Sequence, residues 1–343
     1  MRAIGFFQNG LGNFIEMLPA LAATASLSDE GKIDMVIPAN WSDSRRPAVD
    51  LICEAWPVIG KVIPWLKEGL DERNHDPWFY SRQGGRADGI DRIFLSHLAR
   101  PVPVPSWRRS MIHEADHYMD VAYSLGYSGS PPLVAFPLAD GPIITSQAKA
   151  KVTSEQVNKG QVQTCLLGTC SPATHDLDLP HPIIGLCNGW FRTEKNYWQK
   201  KGWPHFTSLS RILKSYFDGS IVGIGGKEEL PPETILDADY TGNLNILETA
   251  RVLKQLDLFI TTDTGPMHLA NLLGVKLMAL FGPTLVSKNG PRGKNSTVVR
   301  ASRLKCVPCQ DTAAFYSCKR AACMESITVG DVVGVAKAMT KVT

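Results

Sequence analysis

The chain has 343 residues, room for two domains at about 100–200 residues each. Its 44% hydrophobic and 20% charged residues exclude a disordered chain, a collagen and a small disulfide scaffold. Lys+Arg 36 against Asp+Glu 33 leaves a net charge of +3, too small a surplus for a dedicated nucleic-acid coat.

The N-terminus opens with an apolar run, Ala3 to Phe7, a Gly10-Leu11-Gly12 turn, and a helix-period stretch with Phe14, Ile15, Leu18, Leu21 and Ala22 on one side. Gln8-Asn9-Gly10 and Gly12-Asn13 interrupt the apolar character, so strand–turn–helix is expected rather than a signal peptide. No apolar run reaches the roughly 18 residues of a membrane span. The expectation is a cytoplasmic chain starting at Met1, with at most peripheral contact with the inner membrane. Lys32 to Pro38 reads as the second strand. Residues 41–130 are less regular, rich in Trp, Arg and Pro, with a helix over Ile112 to Leu125 and a Pro-interrupted loop over 101–105. From Leu133 to Asp176 a strand, a Lys-rich helix and an apolar run around Cys165 are expected. Pro180-His181-Pro182 is the linker candidate.

Beyond it come a strand (Ile183 to Leu186), a helix (Phe206 to Tyr216), a strand ending in Gly225-Gly226 (from Ser220), and an amphipathic helix (Leu244 to Leu256). A strand (Leu258 to Thr262), a helix (Pro266 to Leu273) and a strand (Lys276 to Phe281) follow. This alternation predicts α/β architecture with parallel sheets of βαβ units. The expected domains are 1–179 and 180–343, the second carrying the Cys-rich segment 306–323 and a C-terminal helix. In such sheets ligands lie past the carboxyl ends of the strands, where Gly10–Asn13, Gly225–Glu229 and Asp263–His268 fall.

Leu258 to Gly274 is the most informative stretch. Asp263 or Thr264 can cap the following helix, and Pro266 suits its first turn. Gly265 lets a ligand approach the free amides, and a strand delivering a helix N-terminus is an anion site. His268 lies one turn in, within reach of a phosphate or sugar oxygen. The plain alternative is an ordinary capped turn with a solvated His.

These residues resemble a family. Asp263-Thr264-Gly265-Pro266-Met267-His268-Leu-Ala, followed by Phe281-Gly282-Pro283-Thr284, is similar to the signature of the ADP-heptose:LPS heptosyltransferases, glycosyltransferase family 9. Gly10-Leu11-Gly12-Asn13 with Leu18-Pro19-Ala20-Leu21 resembles its opening, His113 to Tyr118 its N-domain helix, Lys201-Gly-Trp-Pro204 its Lys-x-Trp-Pro turn, and Cys306 to Met324 its Cys-rich tail. The resemblance implies a GT-B fold, two Rossmann-like doubly wound domains facing a cleft, with 1–179 binding the acceptor and 180–343 the donor. It implies an inverting transfer that needs no metal, from a nucleoside-diphosphate sugar, ADP-heptose, to a lipopolysaccharide core, another glycan or a protein hydroxyl. By the same mapping Gly12, Lys201, Thr264, Gly265 and His268 contact the donor, Asp263 shapes the turn and touches the donor sugar, and Glu228 or Glu229 binds the ribose hydroxyls. A solvated Lys195, Lys200, Lys201 face is the competing reading of the lysines.

One departure stands out: Asn13 occupies the position of the family's catalytic Asp. An amide cannot accept the acceptor's proton. Glu16, three residues on and on the same helix face, is the candidate base; Asn13 would then orient the acceptor. Asp116 or Asp120 are alternative bases, and a catalytically silent nucleotide-sugar binding protein is the rival class.

Cys306, Cys309, Cys318 and Cys323 have the spacing C-x2-C-x8-C-x4-C. Four thiolates can hold a structural iron or zinc ion, and autotransporter-modifying heptosyltransferases carry a similar iron site; thiols without a metal are the alternative. Cys53, Cys165, Cys170 and Cys187 read as small buried hydrophobes. Arg82, Arg86, Arg108 and Arg109, interleaved with Trp78, Phe79, Tyr80 and Trp107, are candidate acceptor-binding residues for an anionic or glycan partner, or a solvated loop face. Transfer to modified nucleic acid is the lesser enzymatic alternative.

Overall fold

The computed structural model describes residues 3–6, 11–38, 46–65, 78–82, 90–95, 102–103, 113–138, 177–189, 197–227, 229–301, 304–310 and 312–340. Two six-stranded sheets lie on either side of Pro180-His181-Pro182. The first begins with β1 (Ala3–Phe6), β2 (Ile33–Pro38) and β3 (Ile59–Trp65), linked by α1 (Leu11–Ala25) and α2 (Arg46–Ala55). These three strands are parallel. On the other side of β1 the expectation of parallel pairing fails. Strand β5 (Ile90–Leu95) runs antiparallel to β1 and to β4 (Trp78–Arg82). The edge strand β6 is Val102–Pro103, paired with Phe79 and Tyr80 where a loop was expected. A proline is tolerated there because an edge leaves its missing N–H uncalled for. The final order is β3-β2-β1-β5-β4-β6, and α3 (Glu114–Ser124) packs on α1.

The second sheet is parallel throughout, in the order β12-β11-β10-β7-β8-β9. Its strands are β7 (Ile183–Cys187), β8 (Ser220–Gly223), β9 (Ala238–Asp239), β10 (Leu258–Thr262), β11 (Leu277–Phe281) and β12 (Ser296–Arg300). The central strands are buried along their whole length, as uninterrupted apolar runs require when both faces are covered. Helices α4 (Phe206–Tyr216) and α10 (Val329–Thr340) cover one face. On the other lie α5 (Ile246–Lys254) and α6 (Gly265–Leu272), sharing one continuous apolar core with α1, α2 and α3 of the first lobe. Short helices α7 (Val286–Asn289), α8 (Ala313–Ser317) and α9 (Ala322–Glu325) complete the chain.

Residues 131–138 carry no regular structure and Leu133 is fully exposed, so the strand expected there does not form. The Lys-rich helix and the run around Cys165 lie outside the described residues. Among the described residues no helix is long and apolar enough to cross a membrane.

Candidate active site

The carboxyl end of β10 delivers the turn before α6. Thr264 is extended (φ −146, ψ 169) and its side chain accepts from Met267 N, with Pro266 in the first turn. Its hydroxyl also meets that of Thr261 at 3.2 Å. The N-terminus of α1 comes against this turn from the other lobe. A Cβ on Gly12 would stand 2.8 Å from His268 Cδ2, and one on Gly265 would touch Leu11 at 3.3 Å. Glycine at 12 therefore allows a helix of the first lobe to meet the His268 ring of the second.

Around that contact charged groups alternate. Lys201 Nζ lies 3.0 Å from Asp263 Oδ2 and donates to the Asp263 carbonyl at 3.3 Å. His268 Nε2 is 3.7 Å from Asp263 Oδ1, and its Nδ1 is 3.2 Å from Glu16 Oε1 on α1. All are largely buried. Burial raises the Asp263 carboxyl, but Lys201 and His268 outweigh it and hold the group well below the usual carboxylate range. For His268 burial opposes the charge, yet Glu16 and Asp263 prevail and push its pKa up to about 10. At neutral pH the ring is an imidazolium between two carboxylates.

Lys201 owes its position to its neighbour. Trp203 is fully buried, donating through Nε1 to Ile327 O at 2.9 Å. Asn188, just past β7, clasps its backbone by accepting from Trp203 N at 2.7 Å and donating to Trp203 O at 3.1 Å. A lone Asn after an apolar strand gave no signal of this in the sequence. Asn13 Nδ2 approaches Tyr118 OH at 3.5 Å. Asp116 is committed to a bidentate pair with Arg292 at 2.6 Å, which removes it as an alternative base; Asp120 is half-buried further along α3.

Glu228 lies outside the described residues. Glu229 is placed beside the Gly225-Gly226 turn, where Gly225 has φ 127 and a side chain at either position would press on the Glu229 carboxylate. The Cys187 thiol donates to Glu229 Oε2 at 3.6 Å; burial raises both groups. Arg82 ends β4, with only its backbone described, and Arg86, Arg108 and Arg109 lie outside the described residues.

The four tail cysteines are near neighbours, Cys306 and Cys318 acting on the charge of Cys309 and all three on that of Cys323, without being gathered as the ligands of a metal ion. Cys309 and Cys323 are buried, Cys306 is exposed, and the Cys318 thiol donates to Arg320 O at 2.9 Å. Among the described residues no group of three or more His, Cys, Asp or Glu could hold one. The segment also braces the Phe281–Thr284 turn. Cys309 N and Gln310 N both donate to Pro283 O at 2.9 Å, and Cys323 and Met324 pack so closely under Gly282 that no Cβ fits.

A parallel sheet presenting a capped helix N-terminus and a fixed lysine, faced by a second lobe bearing a carboxylate, is the arrangement of a two-lobed transferase of the GT-B fold. Residues 146–319 match glycosyltransferase family 9 (heptosyltransferase), half of the chain, and the protein belongs to that family. Lipooligosaccharide heptosyltransferase 2 of Campylobacter jejuni subsp. jejuni serotype O:2 is 37% identical over 171 residues, 46% of this chain and 51% of that one. The Haemophilus influenzae protein of the same name is 27% identical over 159 residues, 43% and 41% of the two chains. The chain thus spans about half the length of these curated relatives. The fold is similar to that of E. coli ADP-heptose LPS heptosyltransferase II (TM-score 0.60, 16% identity, 98% of each chain). It is likewise similar to a Veillonella parvula family 9 glycosyl transferase (TM-score 0.61, 17% identity, 99% and 97% covered). The iron-containing dodecameric TibC of E. coli has a TM-score of 0.57 at 16% identity, covering 98% of this chain and 75% of that one.

Proposed function

We propose that the protein transfers heptose from ADP-heptose to a hydroxyl of a lipopolysaccharide core, another glycan or a protein, with inversion at the anomeric carbon and without a metal ion. The observation that carries this reading is the charged row Lys201–Asp263–His268–Glu16 crossing from one lobe to the other at the N-termini of α6 and α1. The names of the relatives and neighbours support the donor.

The acceptor oxygen attacks the anomeric carbon while the bond to the diphosphate breaks. Negative charge grows on the leaving oxygens, and Lys201, the amides at the start of α6 and the His268 imidazolium neutralise it. Groups fixed in advance at such charge are the most effective catalysts. The acceptor's proton passes to the Glu16 carboxylate, and Asn13, which cannot take it, orients the hydroxyl. Glu228 or Glu229 binds the ribose.

Incubating the purified protein with ADP-heptose and a lipopolysaccharide-core acceptor tests the reading. The expected products are ADP and acceptor carrying heptose of inverted anomeric configuration, at a rate unchanged by EDTA. Glu16→Gln is expected to bind donor but not transfer. Transfer by Glu16→Gln at the wild-type rate would move the base elsewhere. The presence of Asn13 favours one second reading, a silent donor-binding protein, for which donor binds without turnover and Glu16→Ala changes nothing.

A further inference from the structure

His113, immediately before α3, is used by none of the steps above, yet it touches both lobes. Its Nε2 lies 2.8 Å from the carbonyl of Gly290, in the donor lobe. Its Nδ1 lies 3.2 Å from the backbone N–H of Ala115, in its own lobe. A carbonyl only accepts and an amide N–H only donates, so the two bonds together fix one tautomer: Nε2 carries the hydrogen and Nδ1 accepts. Both nitrogens are spent on an uncharged ring. The same Nε2 stands 3.8 Å from Glu16 Oε1, whose nearer partner is the His268 ring at 3.2 Å.

We propose that His113 is a positioning residue: its uncharged ring docks the start of α3 on the Gly290 turn and thereby sets the spacing between Glu16 and His268. This deepens, and for its kinetic arm rests on, the transferase reading. The neighbouring residues of the same turn reinforce the docking. Glu114 pairs with Lys288 at 3.4 Å, both buried, and Asp116 with Arg292 at 2.6 Å. A proton on His113 would break the bond from Ala115 N–H and present a second cation to Glu16 in competition with His268. The groups facing the ring are Glu16 from α1, His268 from α6, Arg292 from the segment after α7 and, on its own element, Asp116. Burial first, and then Arg292 and His268, disfavour the charged form, while Glu16 and the Gly290 carbonyl favour it; the net effect lowers the pKa.

Two variants of the full chain test this, His113→Ala and His113→Gln, the second keeping an N–H for Gly290 without a titratable proton. Against ADP-heptose and the core acceptor, His113→Ala is expected to lose kcat by about tenfold or more with the donor KM little changed. His113→Gln is expected to regain most of that loss, and to keep its turnover at pH beneath the ordinary histidine value near 6.5, where the wild type declines once pH reaches the lowered pKa of His113. NMR titration of His268 provides an arm that needs no turnover. Its pKa is expected to fall in His113→Ala and to hold in His113→Gln. Unchanged kcat in folded His113→Ala, or an unchanged His268 titration in it, would overturn the proposal; should that variant not fold, a wild-type acid decline retained by His113→Gln would do so. Wild-type protein that never transfers heptose, with the His268 coupling intact, would overturn the transferase reading and leave this one standing.

Discussion

Asp263 is a buried carboxylate with a cation on either side, and its removal takes the shared counter-charge from both. Replacing either Asp263 or Lys201 with Ala is expected to lower turnover per folded molecule by at least tenfold, about 1.4 kcal/mol of transition-state stabilisation, measured as ADP release. The same row gives a pH signature. Because the folded pKa of His268 is raised to about 10, its contribution to stability is fully present below the ordinary histidine value near 6.5 and is lost as pH rises through about 10. Thermal midpoints measured from pH 6 to 10.5 should fall for the wild type by more than for His268→Ala. At this scale the sequence revealed Asp263, Thr264 and His268, because a strand, a cap and a helix N-terminus lie consecutively. It did not reveal that Glu16 would face His268, since that contact depends on how two lobes dock and on a glycine at 12 that leaves room for a ring.

The elements that build the second lobe were legible because each carries its own boundary chemistry. Helix α5 begins at a capping box, with Asn245 accepting from Leu247 N and Glu248 N and Glu248 returning to Asn245 N at 2.8 Å. Asn245→Ala is expected to cost about 1 kcal/mol, read as a lower denaturation midpoint in urea. Strands β7, β10 and β11 are apolar from end to end, the pattern of a sheet covered on both faces. The pair β4 and β5 was not legible. In Trp78–Arg82 and Ile90–Leu95 aromatic and charged residues interrupt the apolar run, and an antiparallel pair on a mixed sheet leaves no βαβ spacing to read. The Cys-rich tail has a second role that its spacing did not show, since Cys309, Cys323 and Met324 also pack against the Phe281–Thr284 turn.

Across the whole molecule the lobes meet through an apolar core shared by α1, α2, α5 and α6 and through a polar strap at the start of α3. The two ion pairs of the strap differ in surroundings, and their energies should differ accordingly. Lys288→Met leaves the buried Glu114 carboxylate without that cation and is expected to cost about 3–5 kcal/mol. Arg292→Ala, at a pair roughly half exposed on each side, is expected to cost no more than about 1 kcal/mol. Differential scanning calorimetry of the two variants checks the ordering. None of the strap could be read from the chain, because its partners are local features of separate domains and only docking brings them together.

That difference has a consequence for how the molecule responds to its medium. Dissolved electrolyte screens opposite charges in contact with water and scarcely reaches those beneath the surface. Raising ionic strength should therefore slacken the outer tether at Arg292 while the inner one at Lys288 stays taut. The two halves would then breathe at one corner without coming apart, so moderate salt should hasten release of any nucleotide held by the proposed site.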